Sequence, residues 1–166
     1  MADVTARYTM ALMQTGQAQK EITHNAALLR ADILLHAAVE SRTLAAPPVL
    51  PVDGQCWIVA AAATGVWTGQ SGAIACWGAG GWTFATPREG CLLWVHDDGA
   101  YGHFGPYGWV FGDWPASALV IGGQKVVGAR GAAVADPAGG AVIDNEGRAA
   151  ISAILARLRE HGLFAA

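Results

Sequence analysis

Ala73-Ile-Ala-Cys-Trp77, Gly78-Ala-Gly-Gly81, Trp82-Thr-Phe84: two apolar runs flank four small residues, and this stretch decides how the chain is read. Short β-branched and aromatic runs on either side of a glycine cluster predict a hairpin with a four-residue loop. Upstream, Cys56-Trp-Ile-Val-Ala60 is a run of the same kind. Downstream, Cys91-Leu-Leu-Trp-Val95 is followed by Asp98-Gly99, a dipeptide suited to a turn with positive φ, and then by Tyr101 to Phe104. Gly105-Pro106 and Gly108 punctuate before Trp109-Val-Phe111. Strands that recur this often predict a small antiparallel β-meander or partly closed barrel over about Val52 to Trp114.

The flanks have a different period. From about Gln17 to Glu40, Ile22, Ala26, Leu29 and Ile33 form an apolar stripe of helical pitch, widened by Leu28 and Leu35. Pro47-Pro48 then forces an extended connection. Beyond Trp114, Leu119-Val-Ile121, Gly122-Gly123 and Gln124-Lys-Val-Val127 predict a two-residue hairpin. A small-residue stretch from Gly128 to Gly140 leads to a terminal helix, with Asp144 as N-cap, Glu146 in the first turn, Arg157, Arg159 and His161 in the last, and Gly162 at C′. The expected class is α+β: an N-terminal helix, the β-meander or barrel, a C-terminal hairpin and a terminal helix. The expected domains are 1–46, 47–116 and 117–166. The terminal helix has two uses open to it, docking on its own sheet or bundling with copies of itself. The spacing of Ile151, Ile154, Leu155 and Leu158 makes these the expected oligomer interface.

Composition narrows the function. Of 166 residues only 14% are charged, and between Arg42 and Arg88 the only charge is Asp53. All seven tryptophans lie between residues 57 and 114. Disorder is excluded, since it requires high charge and few aromatics. A net charge of -3 with scattered basic residues argues against nucleic acid as a partner. No apolar run approaches the roughly 20 residues that span a bilayer, so no membrane insertion is expected. The N-terminus lacks the pattern of a signal peptide. Cys56, Cys76 and Cys91 are odd in number, at separations that suit neither a zinc knuckle nor a disulfide framework. Reduced, buried thiols made in a cytoplasm are the expectation.

Candidate chemistry is sparse. Ser71 in Gly69-Gln-Ser-Gly72 lacks the spacing of a nucleophile elbow and reads as a turn. His96-Asp97-Asp98, with Glu89 or His103, can be drawn as an acid/base or metal site, but Asp97-Asp98-Gly99 reads first as a hairpin tip. No catalytic residue, metal or cofactor is therefore expected, and the weakest reading is a hydrolase using Glu89, Asp97 or Asp98. Seven tryptophans together with Phe84, Tyr101, Phe104, Tyr107 and Phe111 exceed what one small core encloses. The excess suits a subunit interface or stacking on sugar rings, for which Trp82, Tyr107 and Trp109 are the candidates.

Gln17-Ala-Gln-Lys-Glu-Ile-Thr-His-Asn25, with Ala27-Leu28 and Asp32, resembles the opening of a bacteriophage and prophage domain family of unknown function that is similar to parts of tail-fibre and spike proteins. The resemblance continues through Pro47-Pro48, Asp53-Gly54, Trp57-Ile-Val-Ala60, Ala63-Thr-Gly65, Trp67-Thr-Gly69 and Gly72-Ala-Ile74. Trp77, Trp82, Pro87-Arg-Glu-Gly90 and Trp94-Val95 extend it, so that it spans roughly residues 14 to 112. The tail from Val127 to the final helix resembles C-terminal segments of fibre-like proteins. These resemblances imply a virion structural protein, the base or adaptor of a head spike or tail fibre of a phage or gene-transfer-agent particle. Its implied place is the virion surface after synthesis in the bacterial cytoplasm. Its implied partners are copies of itself as a trimer or pentamer, capsid, spike or fibre subunits, and host polysaccharide. The family supplies no catalytic residues to carry over. The alternative function is a glycan-binding module for capsular or cell-surface polysaccharide.

Overall fold

A computed structural model describes residues 4–14, 16, 20–78, 81–141 and 144–165. The fold is α+β, with helices at both ends and largely antiparallel sheets that do not close into a barrel. The chain forms two compact units, Met1–Trp114 and Pro115–Ala166.

In the first unit, helix α1 (Lys20–Leu34) precedes β1 (Ala38–Val39), β2 (Cys56–Ile58), β3 (Ile74–Gly78), β4 (Gly81–Ala85), β5 (Leu92–Val95), β6 (Ala100–Gly105) and β7 (Gly108–Phe111). The strands make a four-stranded sheet in the order β1-β5-β6-β7 and a three-stranded sheet in the order β2-β3-β4. The segment after β1 joins them. Glu40 N–H donates to Cys56 C=O at 2.8 Å, Ile58 N–H to Ser41 C=O at 3.0 Å, and Ala60 N–H to Leu44 C=O at 2.9 Å. At the far side, Trp109 Nε1 donates to Gly72 C=O at 2.9 Å and ties β7 to the start of β3.

Two cores follow from the period of two along β2 and β3. Cys56, Ile58, Ile74, Cys76 and Ala85 face a core shared with Ile33, Ala37, Val39, Leu93 and Val95. Trp57, Val59 and Ala75 face the other way, onto Trp67 from the 3-10 turn Gly65–Trp67, with Trp77, Trp82 and Phe84 against them. The predicted central hairpin is tighter than four residues, because Gly78 pairs with Gly81. Residues 79–80 of that loop lie outside the described residues.

The first helix differs from its expected extent. Residues 17–19 lie outside the described residues, and the helix stops at Leu34 instead of continuing to Glu40. Arg7 supplies the reason. Its guanidinium donates to the carbonyls of Asp32 at 2.7 Å, Ile33 at 2.9 Å and His36 at 3.1 Å, satisfying the orphan acceptors of the last turn. His36 takes a left-handed φ of 42° that breaks the helical path. Ala38–Val39 then pairs in parallel with Trp94–Val95, a pairing absent from the expected antiparallel meander. The apolar stripe is also only partly covered: Ile33 is buried, Leu29 is half-buried, and Ile22 and Ala26 are exposed.

The N-terminal segment folds back on this helix. Buried Asp32 accepts Thr5 Oγ1 at 2.7 Å, Arg7 N–H at 2.9 Å and Tyr8 N–H at 2.8 Å. Asn25 holds Met13 from both sides, accepting its N–H at 2.9 Å and donating to its C=O at 3.0 Å.

The second unit contains β8 (Leu119–Ile121) and β9 (Gln124–Val127), an antiparallel hairpin whose Gly122 and Gly123 both have positive φ. Helix α2 (Asn145–Glu160) starts on Asp144, which accepts Gly147 N–H at 2.8 Å, and Gly162 follows its end with φ 72°. Gly131 N–H donates to Leu163 C=O at 2.7 Å and Ala165 N–H to Gly131 C=O at 2.9 Å. Arg159 bonds Val134 C=O and lies 3.3 Å from Asp136, so the small-residue stretch runs back along the helix. None of the described residues from 115 to 165 is buried.

Candidate interaction surfaces

The tryptophans divide by how many sides of the sheet cover them. Trp57 and Trp67 are buried, and Trp82 meets Trp67, Trp77 and Trp57 edge-on, with ring centroids 5.1, 5.2 and 5.6 Å apart. This box of four indoles is the second core. It exists because Trp57, Trp77 and Trp82 share one face of β2-β3-β4 while the 3-10 turn brings Trp67 over them.

Of the three glycan candidates, Trp82 is therefore engaged in packing. Trp109 is engaged as well: it stacks on Phe111, contacts Phe104, packs against the first core and spends its indole N–H on Gly72. Tyr107 stands fully exposed on the β6–β7 turn. The three are not gathered into one cluster of rings.

A different aromatic group emerges on the outer face of β1-β5-β6-β7. Leu93 and Val95 point inward, so Leu92 and Trp94 point outward, and register places Tyr101 opposite Trp94 and His103 between Leu92 and Val110. Trp94 and Tyr101 meet edge-on at 4.9 Å, and Tyr101 meets Trp114 at 5.8 Å. Trp114 is 63% exposed and Tyr101 48%, while Leu92 and Val110 are also exposed. The buried Nδ1 of His103 has no partner among the described residues. The sequence carried a signal for this face in the alternation of Leu92, Leu93, Trp94 and Val95. Without the pairing register nothing attached Tyr101 and Trp114 to it.

The polar cluster at residues 96–98 is a hairpin tip. His96 N–H donates to Val39 C=O at 2.9 Å, and Asp98 pairs with Arg42 at 2.5 Å. Arg42 in turn lies 4.4 Å above the Phe111 ring. Asp98 is thus held as a structural ion pair, and His96, Asp97 and Glu89 are exposed. Among the described residues, no group of three or more His, Cys, Asp or Glu side chains is placed to hold a metal.

Beside the tryptophan box an open groove of about 460 Å³ runs between α1 and β4, lined by Ala26, Leu29, Arg30, Trp82, Phe84 and neighbours. It holds a single charged side chain and no convergent acid or base. The helix stripe at Ile151 and Ile154 is open to solvent, with Leu155 and Leu158 half-buried.

Residues 24–110, just over half of the chain, match the model of a family described as a protein of unknown function (DUF2793). The chain belongs to this family. Its range takes in most of α1 and both sheets as far as Val110, and leaves out the N-terminal segment and the whole second unit. No curated protein matches the chain.

Proposed function

We propose that this chain is a virion structural protein, the base or adaptor subunit of a head spike or tail fibre of a phage or gene-transfer-agent particle, supporting attachment to the host surface. The observation that supports this reading most is the state of residues 115–165, where no described residue is buried. A segment that encloses no core gains little free energy from its own folding and is stabilised by what covers it. Helix α2 is well capped at both ends, yet leaves Ile151 49% and Ile154 59% exposed on one stripe. That stripe suits a seam between copies, with Leu155 and Leu158 at its margins. The outer face around Leu92, Trp94 and Val110 suits a contact with another virion protein. Native mass spectrometry of the purified chain, with mass analysis of purified particles, tests the proposal. A trimer or pentamer that is also present in particles is expected. A strictly monomeric chain that is absent from particles overturns it.

A second reading, binding of host polysaccharide, is favoured by the Trp94–Tyr101–Trp114 group, in which Tyr101 and Trp114 are exposed and Trp94 half-buried, more than by the residues the sequence suggested. Aromatic faces stack on sugar rings, and Tyr101 and Trp114 are open to solvent on this side of the sheet. Titration with host polysaccharide should change tryptophan fluorescence, and Trp114→Ala should reduce the change. No change at millimolar sugar counts against it.

A further inference from the structure

Cys56 on β2 and Cys76 on β3 stand directly opposite each other, although twenty residues separate them in sequence. The backbone bonds fix what kind of pair they make. Val59 N–H donates to Ala73 C=O at 2.9 Å, and Trp77 N–H donates to Gln55 C=O at 2.9 Å, so residues 55, 57 and 59 turn their backbone groups toward β3. Cys56 turns away, since its carbonyl accepts Glu40 N–H at 2.8 Å. Cys56 and Cys76 are therefore a non-hydrogen-bonded antiparallel pair, the closer of the two kinds, with Cα atoms about 4.5 Å apart. A disulfide spans Cα separations of about 4.4–6.8 Å. Both side chains leave the sheet on the same face, into the first core, and both thiols are free.

Their surroundings divide the roles. The interaction between the two sulfurs favours the thiolate on Cys76 and keeps the proton on Cys56, where burial acts in the same direction. At Cys76 burial opposes this effect, as do the charges of Asp32 and Asp53, while the charge of Arg7 adds to it, and the net direction is downward. Cys76 also lines a pocket of about 20 Å³ with Ala6, Leu29, Asp32 and Thr83. That is room for one water-sized molecule.

We propose that Cys56 and Cys76 are a redox pair that closes to a cross-strand disulfide when a small peroxide reaches Cys76 through this pocket. The Cys76 thiolate attacks a peroxide oxygen, the O–O bond breaks, and Cys76 becomes a sulfenic acid as hydroxide leaves. The Cys56 sulfur then displaces the sulfenic hydroxyl, which departs as water with the Cys56 proton. Two thiols lose two electrons and two protons, and hydrogen peroxide is reduced to two waters. The product clamps β2 to β3 at the junction of the first core. Cys91, which precedes β5 and is raised in pKa by burial, takes no part. The pair does not rest on the assembly proposal, since it needs only the register of one hairpin.

The chain supplies a convenient readout. No Lys or Arg lies between Arg42 and Arg88, so one tryptic peptide, residues 43–88, carries both cysteines and excludes Cys91. The full-length protein is treated with stoichiometric hydrogen peroxide, alkylated after unfolding, digested and weighed. The expected 43–88 peptide has lost two hydrogens and carries no alkyl group, while the Cys91 peptide is alkylated. A thiol reductant restores both alkylation sites. Cys56→Ala should leave Cys76 as a sulfenic acid that dimedone traps. The same oxidation in urea serves as the reference, independent of any variant's folding. The disulfide should form at least tenfold faster in the native chain. Equal or slower formation in the native chain, two alkyl groups on the oxidised 43–88 peptide, or selective loss of Cys91 overturns the proposal.

Discussion

Asp32 makes the most of one side chain in this molecule. Its carboxylate takes Thr5 Oγ1 and the N–H groups of Arg7 and Tyr8, all within 2.9 Å, and is 3% exposed. Removing the carboxylate leaves three donors without their acceptor, of which the Thr5 hydroxyl is buried and the two backbone N–H groups are partly buried. Asp32→Ala should cost about 3 kcal/mol in urea denaturation, because a buried donor left unpaired keeps its full desolvation penalty. A loss within about 0.5 kcal/mol would show that the N-terminal segment contributes little to the native state. Gly102 tests packing instead of polarity. A Cβ there would meet Phe111 Cδ1 at 2.5 Å and Cε1 at 2.6 Å, so the ring fills the space above the glycine. Gly102→Ala should destabilise by about 1–3 kcal/mol through overpacking, read as a fall in thermal midpoint. An unchanged midpoint would mean that β7 shifts at no cost.

Elements were legible where the signal was local. The N-cap Asp144, the first-turn Glu146, the C′ Gly162 and the Gly122-Gly123 turn are each a matter of neighbouring residues, and each stands where the sequence put it. Asp144→Ala should weaken α2 by about 1 kcal/mol, detected as reduced helicity by circular dichroism, and full helicity would show the cap is idle. What could not be read was long-range. Nothing near residue 35 announces that Arg7 will occupy the last carbonyls of α1. Nothing near Ala38 announces a parallel partner at Trp94. The same blindness affected the candidate site. Trp82 and Trp109 look alike in sequence to Trp114, and only the folded chain separates rings engaged in packing from one left 63% exposed. The cysteine pair was hidden for that reason too, since separation along the chain carries no register.

At the scale of the whole molecule the two units differ in kind. The first holds both cores and meets the ordinary requirements of a small domain, whereas the second has capped, turned and hydrogen-bonded elements with none of its described residues buried. Ile151→Asp combined with Ile154→Asp should convert the proposed oligomer into monomers in light scattering while leaving the thermal midpoint of the first unit unchanged. Persistence of the oligomer would move the interface to another face.

The parallel pairing of β1 with β5 has a consequence for how the protein is made. Trp94 follows Ala38 by 56 positions, so at about 5–20 residues per second a ribosome needs several seconds to deliver the partner. The three-stranded sheet of β2, β3 and β4 can form in that interval, with Ile33, Ala37 and Val39 already made, but the face carrying Ile58 and Ile74 is not fully covered until Leu93 and Val95 emerge. Nascent chains interrupted before β5 therefore expose apolar side chains that the finished domain buries.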